Sequence, residues 1–128
     1  MYDSKYGNAN KNIVIYNPID PVAIQKSNPY NYHSKKIIAV GRLTYQKNYE
    51  CMIEVMEPIL KENPTWGLDI YGAGELEESI KKLIKEKRLE KSVFLKGRRA
   101  DIYELYSNYA FILSTSRYEG FPMTFLEA

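Results

Sequence analysis

Cysteine, histidine and tryptophan each occur once in this chain. No stretch approaches the roughly 18 consecutive apolar residues that a membrane-crossing helix needs. The lone cysteine, Cys51, has no partner for an internal disulfide. It falls in a helix-like apolar stretch, which predicts a reduced, buried, inert thiol. One histidine (His33) and one cysteine cannot build a zinc site without carboxylate help, so no resident metal is expected. The opening residues, Met1 to Gly7, are polar and lack the apolar core of a signal peptide. The expected address is therefore cytoplasmic. One sign of charge is also scarce in excess: 18 Lys and Arg face 16 Asp and Glu, a net charge of +2. That balance gives no electrostatic reason to expect nucleic acid or an acidic membrane. Three motifs are missing as well. No G-x-G-x-x-G follows the apolar run 37–40, no G-x-x-x-x-G-K-[ST] occurs, and no D-x-D occurs.

What is present is ordinary globular material. The chain has 128 residues, 45% of them apolar and 27% charged, enough for one domain with a real core. Ile13-Val14-Ile15-Tyr16, closed by Asn17-Pro18, reads as a strand, and the polar, Asn-rich residues 21–34 read as loop. Ile37-Ile38-Ala39-Val40 is an apolar run ending at Gly41, the pattern of a strand buried on both faces. Met52, Val55, Met56, Ile59 and Leu60 recur at helical spacing up to Pro64, with a kink or restart expected at Pro58. Strands are predicted at 68–71, 93–95 and 111–113. Helices are predicted around Leu76, Ile80, Leu83, Ile84 and Leu89, and again at 102–109. Strands alternating with helices predict a parallel sheet covered on both faces, a Rossmann-like α/β fold. Met123 to Ala128 open an apolar helix of about one turn, too short to be stable alone. The chain is therefore expected to be a fragment, marginally stable and prone to associate.

In such folds ligands sit at the carboxyl ends of the strands. After residues 37–40 come Arg42 and Lys47, two cations that suit a phosphate or diphosphate. Solvated loop charges are the alternative. Gly72-Ala73-Gly74 follows the next strand, either to admit a ligand to the backbone or simply to turn the chain. Glu119-Gly120-Phe121-Pro122-Met123 then leads into the last helix, whose free N–H groups favour an anion. Glu127 lies eight positions after Glu119. Carboxylates beside an anion site suit hydrogen bonds from sugar hydroxyls.

These residues carry a family resemblance. The stretches 39–48, 68–76 and 119–128, in that order, resemble the nucleotide-sugar-binding, C-terminal domain of retaining GT-B glycosyltransferases of family 4. Asn17-Pro18-Ile19-Asp20 is similar to the segment entering that domain. The resemblance implies a division at 34/35: residues 1–34 lead in from an acceptor domain that is missing, and 35–128 form part of the donor-binding domain. It implies that Arg42 and Lys47 neutralise the donor diphosphate and that Glu127 accepts from the ribose. Glu119 would contact the transferred sugar. The backbone of Gly120, Phe121, Pro122 and Met123 would line diphosphate and sugar, and the loop 96–99, with Arg98 foremost, would face the base; an exposed basic turn is the alternative for Arg98 and Arg99. The implied reaction transfers a sugar from a nucleoside diphosphate to an acceptor hydroxyl with retention, in polysaccharide or glycoconjugate biosynthesis. Uridine is preferred over guanosine by family habit. The acceptor, a glycan or lipid-linked sugar, would be held by the missing domain, which would also mediate any attachment to the inner membrane. With no D-x-D, the resemblance implies a metal-independent enzyme with no cofactor. Two other classes stay open: a non-catalytic nucleotide-binding fragment, and a GT-B sugar epimerase that needs no acceptor.

Overall fold

The computed structural model describes residues 31–120 and 122–127, with Pro18 and Pro29. The expected strand at 13–16 and the segment Asn17-Pro18-Ile19-Asp20 lie outside that set, apart from Pro18. Among the described residues four parallel strands form the sheet: β1 (Lys36–Val40), β2 (Gly67–Tyr71), β3 (Val93–Gly97) and β4 (Phe111–Ile112), in the order β3-β2-β1-β4. Register runs from Lys36 opposite Gly67 to Val40 opposite Tyr71, and Ile37 opposes Phe111. Helix α1 (Tyr49–Glu62) follows a 3-10 turn at Tyr45–Lys47, and α2 (Glu77–Glu86) joins β2 to β3. The short α3 (Ile102–Leu105) continues as a 3-10 turn, Tyr106–Asn108, and α4 (Met123–Glu127) ends the described chain.

Alternation along the strands sorts side chains to two faces. Ile37, Ala39, Leu68, Ile70 and Val93 pack under α1 and α2, through Met52, Ile53, Met56, Leu60, Ile80 and Ile84. Ile38 and Tyr71 face the other way and pack with Tyr106 and Tyr109, alongside Val40, Ile102 and Leu105. Both faces are covered, so the expected parallel α/β architecture holds.

Several local expectations need correction. Tyr49, Met52, Ile53, Met56 and Leu60 carry the buried stripe of α1, whereas Val55 and Ile59 are 54% and 44% exposed. Those two lie about a quarter-turn or more off the stripe, so apolar spacing alone misassigned them. The helix runs through Pro58 without a restart. Pro58 and Glu54, whose carbonyl loses a donor there, both face solvent, where water can replace the bond. The helix ends at Glu62 because Pro64 disfavours helical geometry at Asn63, which instead caps the end through Ile59 O. Cys51 is half-buried rather than buried, because it lies beside the stripe. The last strand is two residues long, ending at Ile112.

Candidate functional site

The strand order reverses direction between β1 and β4, and a doubly wound sheet opens its ligand crevice at that point. Two loops meet there: 41–48 after β1 and 113–122 after β4. They are tied closely. Arg117 N donates to Gln46 O at 2.8 Å, and Gln46 Nε2 returns a bond to Tyr118 O at 3.0 Å. Thr115 Oγ1 donates to Asn48 O at 2.9 Å, and Arg117 Nη2 donates to Asn48 Oδ1 at 2.9 Å. The Arg117 guanidinium lies 4.2 Å from the centre of the Tyr45 ring. Asn48 adopts the left-handed region (φ 52°) that asparagine tolerates, and this turns the chain into α1.

At the centre of this junction Lys47 Nζ donates to Glu119 Oε1 at 2.6 Å. The two residues are 72 positions apart in the chain, and their side chains are only 21% and 24% exposed. Sequence reasoning named both but gave them separate tasks; the structure joins them. Hydrogen bonds from Lys47 and Ser116 hold the Glu119 carboxyl below its usual range. Beside them Tyr49 Oη donates to Gly41 O at 3.1 Å. Burial, and then the charge of Glu119, push that phenol well above the ordinary tyrosine range.

A carboxylate with a lowered pKa stabilises the fold above its unfolded pKa of about 4.3, and that contribution is lost as pH falls through the folded value. Glu119→Gln should therefore lower unfolding stability near neutrality by about 0.2–1 kcal/mol, the range for such pairs. The difference from wild type should close in acid. Urea unfolding at neutral pH and below about pH 3.5 checks this, and a gap that widens in acid contradicts it.

Arg42 and Arg98 are exposed, and no ion pair engages either among the described residues. They rim a depression of about 260 Å³ at the strand ends, together with Arg99, Gly41, Tyr71 and Ile102. Arg99 is held by Asp101, with Nε 2.7 Å from Oδ1. The structure thus places Arg42 and Arg98 on one cavity, and Lys47 and Glu119 outside its lining. Gly120, Pro122 and Met123 follow Glu119 into α4. Phe121 lies outside the described residues; Glu127 closes α4, and its side chain also lies outside them. Gly72 and Gly74 each allow a close backbone approach within the protein. A Cβ at Gly72 (φ +150°) would meet Gly41 O at 1.9 Å, and one at Gly74 would meet Leu43 O at 2.4 Å. They let the β1 and β2 loops touch, and Gly72 also lines the depression. Among the described residues no group of three or more His, Cys, Asp or Glu is placed to hold a metal ion.

Residues 23–128 match the family model described as glycosyl transferases group 1. The chain belongs to this family. Over 101 residues this group 1 chain is 33% identical to the poly(ribitol-phosphate) α-N-acetylglucosaminyltransferase of Staphylococcus aureus, covering 78% of the chain and 20% of that protein. Over 112 residues it is 37% identical to the amylovoran biosynthesis glycosyltransferase AmsD of Erwinia amylovora, covering 88% and 29%. A structure of S. aureus TarM solved with fondaparinux, α-GlcNAc-glycerol and UDP matches with a TM-score of 0.74 at 30% identity, covering 79% of this chain and 21% of that one. The pneumococcal O-GlcNAc transferase GtfA, solved with UDP and GlcNAc, matches at 0.70 and 27%, covering 77% and 20%. The group 1 chain thus spans about a fifth to three tenths of the two curated relatives named. No helix among its described residues is long and apolar enough to cross a membrane.

Sequence reasoning missed the second layer of this site. The sequence places Asp69 and Tyr71 in a strand and Tyr109 at a helix end, and gives none of them a role at the site. Asp69 carried a signal: a charged residue inside an apolar strand of a two-sided sheet requires a partner. Thr115, Arg117 and Gln46 gave none, because their partners are 67 to 72 positions away.

Proposed function

We propose that the chain is the donor-binding part of a retaining GT-B glycosyltransferase of family 4, moving a sugar from a nucleoside diphosphate, UDP before GDP, to an acceptor hydroxyl. The acceptor, a glycan or lipid-linked sugar of polysaccharide or glycoconjugate biosynthesis, is held by a domain outside this chain. The enzyme works in the cytoplasm, with any hold on the inner membrane coming through that domain. One observation carries the reading: Lys47 and Glu119 lie 2.6 Å apart at the strand-order reversal. A cation for phosphate beside a carboxylate for hydroxyls is what a sugar–diphosphate junction demands. The UDP complexes of the similar TarM and GtfA support the choice of nucleotide.

In this reading Lys47 has two further N–H groups to give a phosphate oxygen while Glu119 stays within reach. Arg42 supplies a forked guanidinium to the same diphosphate, and Arg98 faces the nucleoside. As the glycosidic bond to phosphate breaks, negative charge grows on the leaving diphosphate; fixed cations stabilise it without reorganising. Glu119 holds a sugar hydroxyl as the ring gains oxocarbenium character. Glu127 accepts from the ribose, and the backbone of Gly120, Phe121, Pro122 and Met123 lines the sugar and diphosphate.

Two tests follow from these roles. Glu127→Ala should weaken UDP binding, whereas Glu119→Ala should spare most of it and cut turnover in the complete enzyme by about a hundredfold. Calorimetry with UDP and a sugar-transfer assay read the two effects, and the reverse pattern would invert the order of the motif along the donor. Because fixed cations match the leaving group, turnover should also survive a chelator. Complete loss of activity, restored by added divalent metal, would overturn that part of the mechanism.

A further inference from the structure

Tyr71 ends β2 and lines the arginine-rimmed depression, whose lining also includes the apolar Val40 and Ile102. Its ring meets that of Tyr109 edge-on, at 86° and 6.4 Å between centres. The two hydroxyls are 3.0 Å apart. Tyr109 Oη in turn donates to Asp69 Oδ2 at 2.7 Å. Asp69 is 5% exposed, the one buried polar side chain among the described core residues, and it shares a face of β2 with Tyr71. A phenol has one proton to give. Tyr109 gives its proton to Asp69, so Tyr71 must give its own to Tyr109. The relay therefore has one direction, from the depression toward the buried carboxyl. Burial, then the bonds with Tyr71 and Asp69, hold the Tyr109 phenol well above the ordinary tyrosine range, which keeps the relay protonated.

We infer that Asp69 and Tyr109 are positioning residues that lock Tyr71 as the floor on which the nucleoside end of a nucleoside diphosphate seats. The inference rests on the donor-site reading above and adds residues that reading does not use. The cations stand at the rim and the floor is largely apolar, so the phosphates and the nucleoside are served by separate groups. A ring held by a hydrogen bond at its far end is ordered before the ligand arrives, and binding is spared that ordering. Both hydroxyls of the polar chain beneath it are paired, and satisfied buried networks rigidify a site.

The test titrates UDP and inorganic pyrophosphate into the chain and its variants by calorimetry. Tyr71→Phe and Tyr109→Phe should each weaken UDP about three- to tenfold, the cost of ordering one side chain on binding, and the double variant should be no worse than either alone. Pyrophosphate affinity should not move in these variants, whereas Arg42→Ala should weaken both ligands. Asp69→Asn keeps an acceptor for Tyr109 and should fall between wild type and Tyr109→Phe. Equal losses for UDP and pyrophosphate would mean general loosening of the fold and would overturn the inference, as would additive losses or unchanged UDP affinity. If Tyr109→Phe fails to fold, Tyr71→Phe decides, because it leaves the Tyr109–Asp69 bond in place. Pyrophosphate binding without UDP binding by the wild-type chain would remove the nucleotide reading and the relay's role with it. UDP binding that the relay variants leave intact would remove the relay's role alone.

Discussion

Alanine at position 72 is expected to destabilise the chain by at least about 3 kcal/mol, combining the strain of a left-handed backbone with overpacking. Gly72 has φ +150°, and its new Cβ would stand 1.9 Å from a backbone oxygen, Gly41 O. That oxygen cannot swing aside as a side-chain tip would. The neighbouring ladder holds both loops: Gly41 N donates to Tyr71 O at 3.0 Å, and Gly72 N donates to Gly97 O at 2.9 Å. Relief therefore requires moving the chain that carries Arg42. Against a total domain stability of about 5–15 kcal/mol, such a loss is large. Gly120→Ala is the natural control, since a Cβ there meets nothing within 4 Å. It should change stability by no more than about 0.5 kcal/mol. Urea unfolding of both variants reads the difference. A Gly72→Ala midpoint equal to wild type would show that the two loops do not touch as described.

The second large effect belongs to the cations. Lys47→Ala and Arg42→Ala should each weaken UDP binding by about ten- to a hundredfold, because a hydrogen bond to a charged group is worth about 1.5–3 kcal/mol. Lys47→Ala has an added consequence. It leaves Glu119, one-quarter exposed, without its cation beside the incoming diphosphate, and like charges repel. The double variant Lys47→Ala with Glu119→Gln should therefore bind UDP better than Lys47→Ala alone. Binding at wild-type strength in both single variants would return Arg42 and Lys47 to the status of solvated loop charges.

Much of the fold was legible because its signals are local. Ile37 to Val40 and Leu68 to Tyr71 are apolar runs cut by glycine, and each is a strand where the pattern put it. The amphipathic stripe of α2, through Ile80 and Ile84, was equally plain. The errors came where a local pattern was ambiguous. Val55 and Ile59 look like core by composition, yet the helix phase set by Tyr49, Met52, Met56 and Leu60 turns them outward. Pro58 looked like a break, but it lies on a solvent-facing side where the lost bond is replaceable. For the site, the sequence pointed to Arg42, Lys47 and Glu119 by their places after strands and to Arg98 only through the family resemblance; Arg42 and Arg98 line one depression, and the Lys47–Glu119 pair lies outside that lining. The sequence could not show that Lys47 and Glu119 pair with each other. Nor could it show the clasp of Thr115, Arg117 and Gln46, or the Asp69–Tyr109–Tyr71 chain. Those are contacts between distant segments, and only the parallel sheet order brings them together.

The central claim is that the nucleoside diphosphate occupies the carboxyl ends of the strands, between the loops after β1 and β4. Backbone amide NMR of the labelled chain during a UDP titration tests it most directly. Saturable shifts concentrated at residues 41–47, 71–74, 97–99 and 115–123 are the predicted result. Shifts centred instead on the outer groove between α1 and α2, lined by Glu57, Lys61 and Lys87, or no saturable shifts at all, would contradict it.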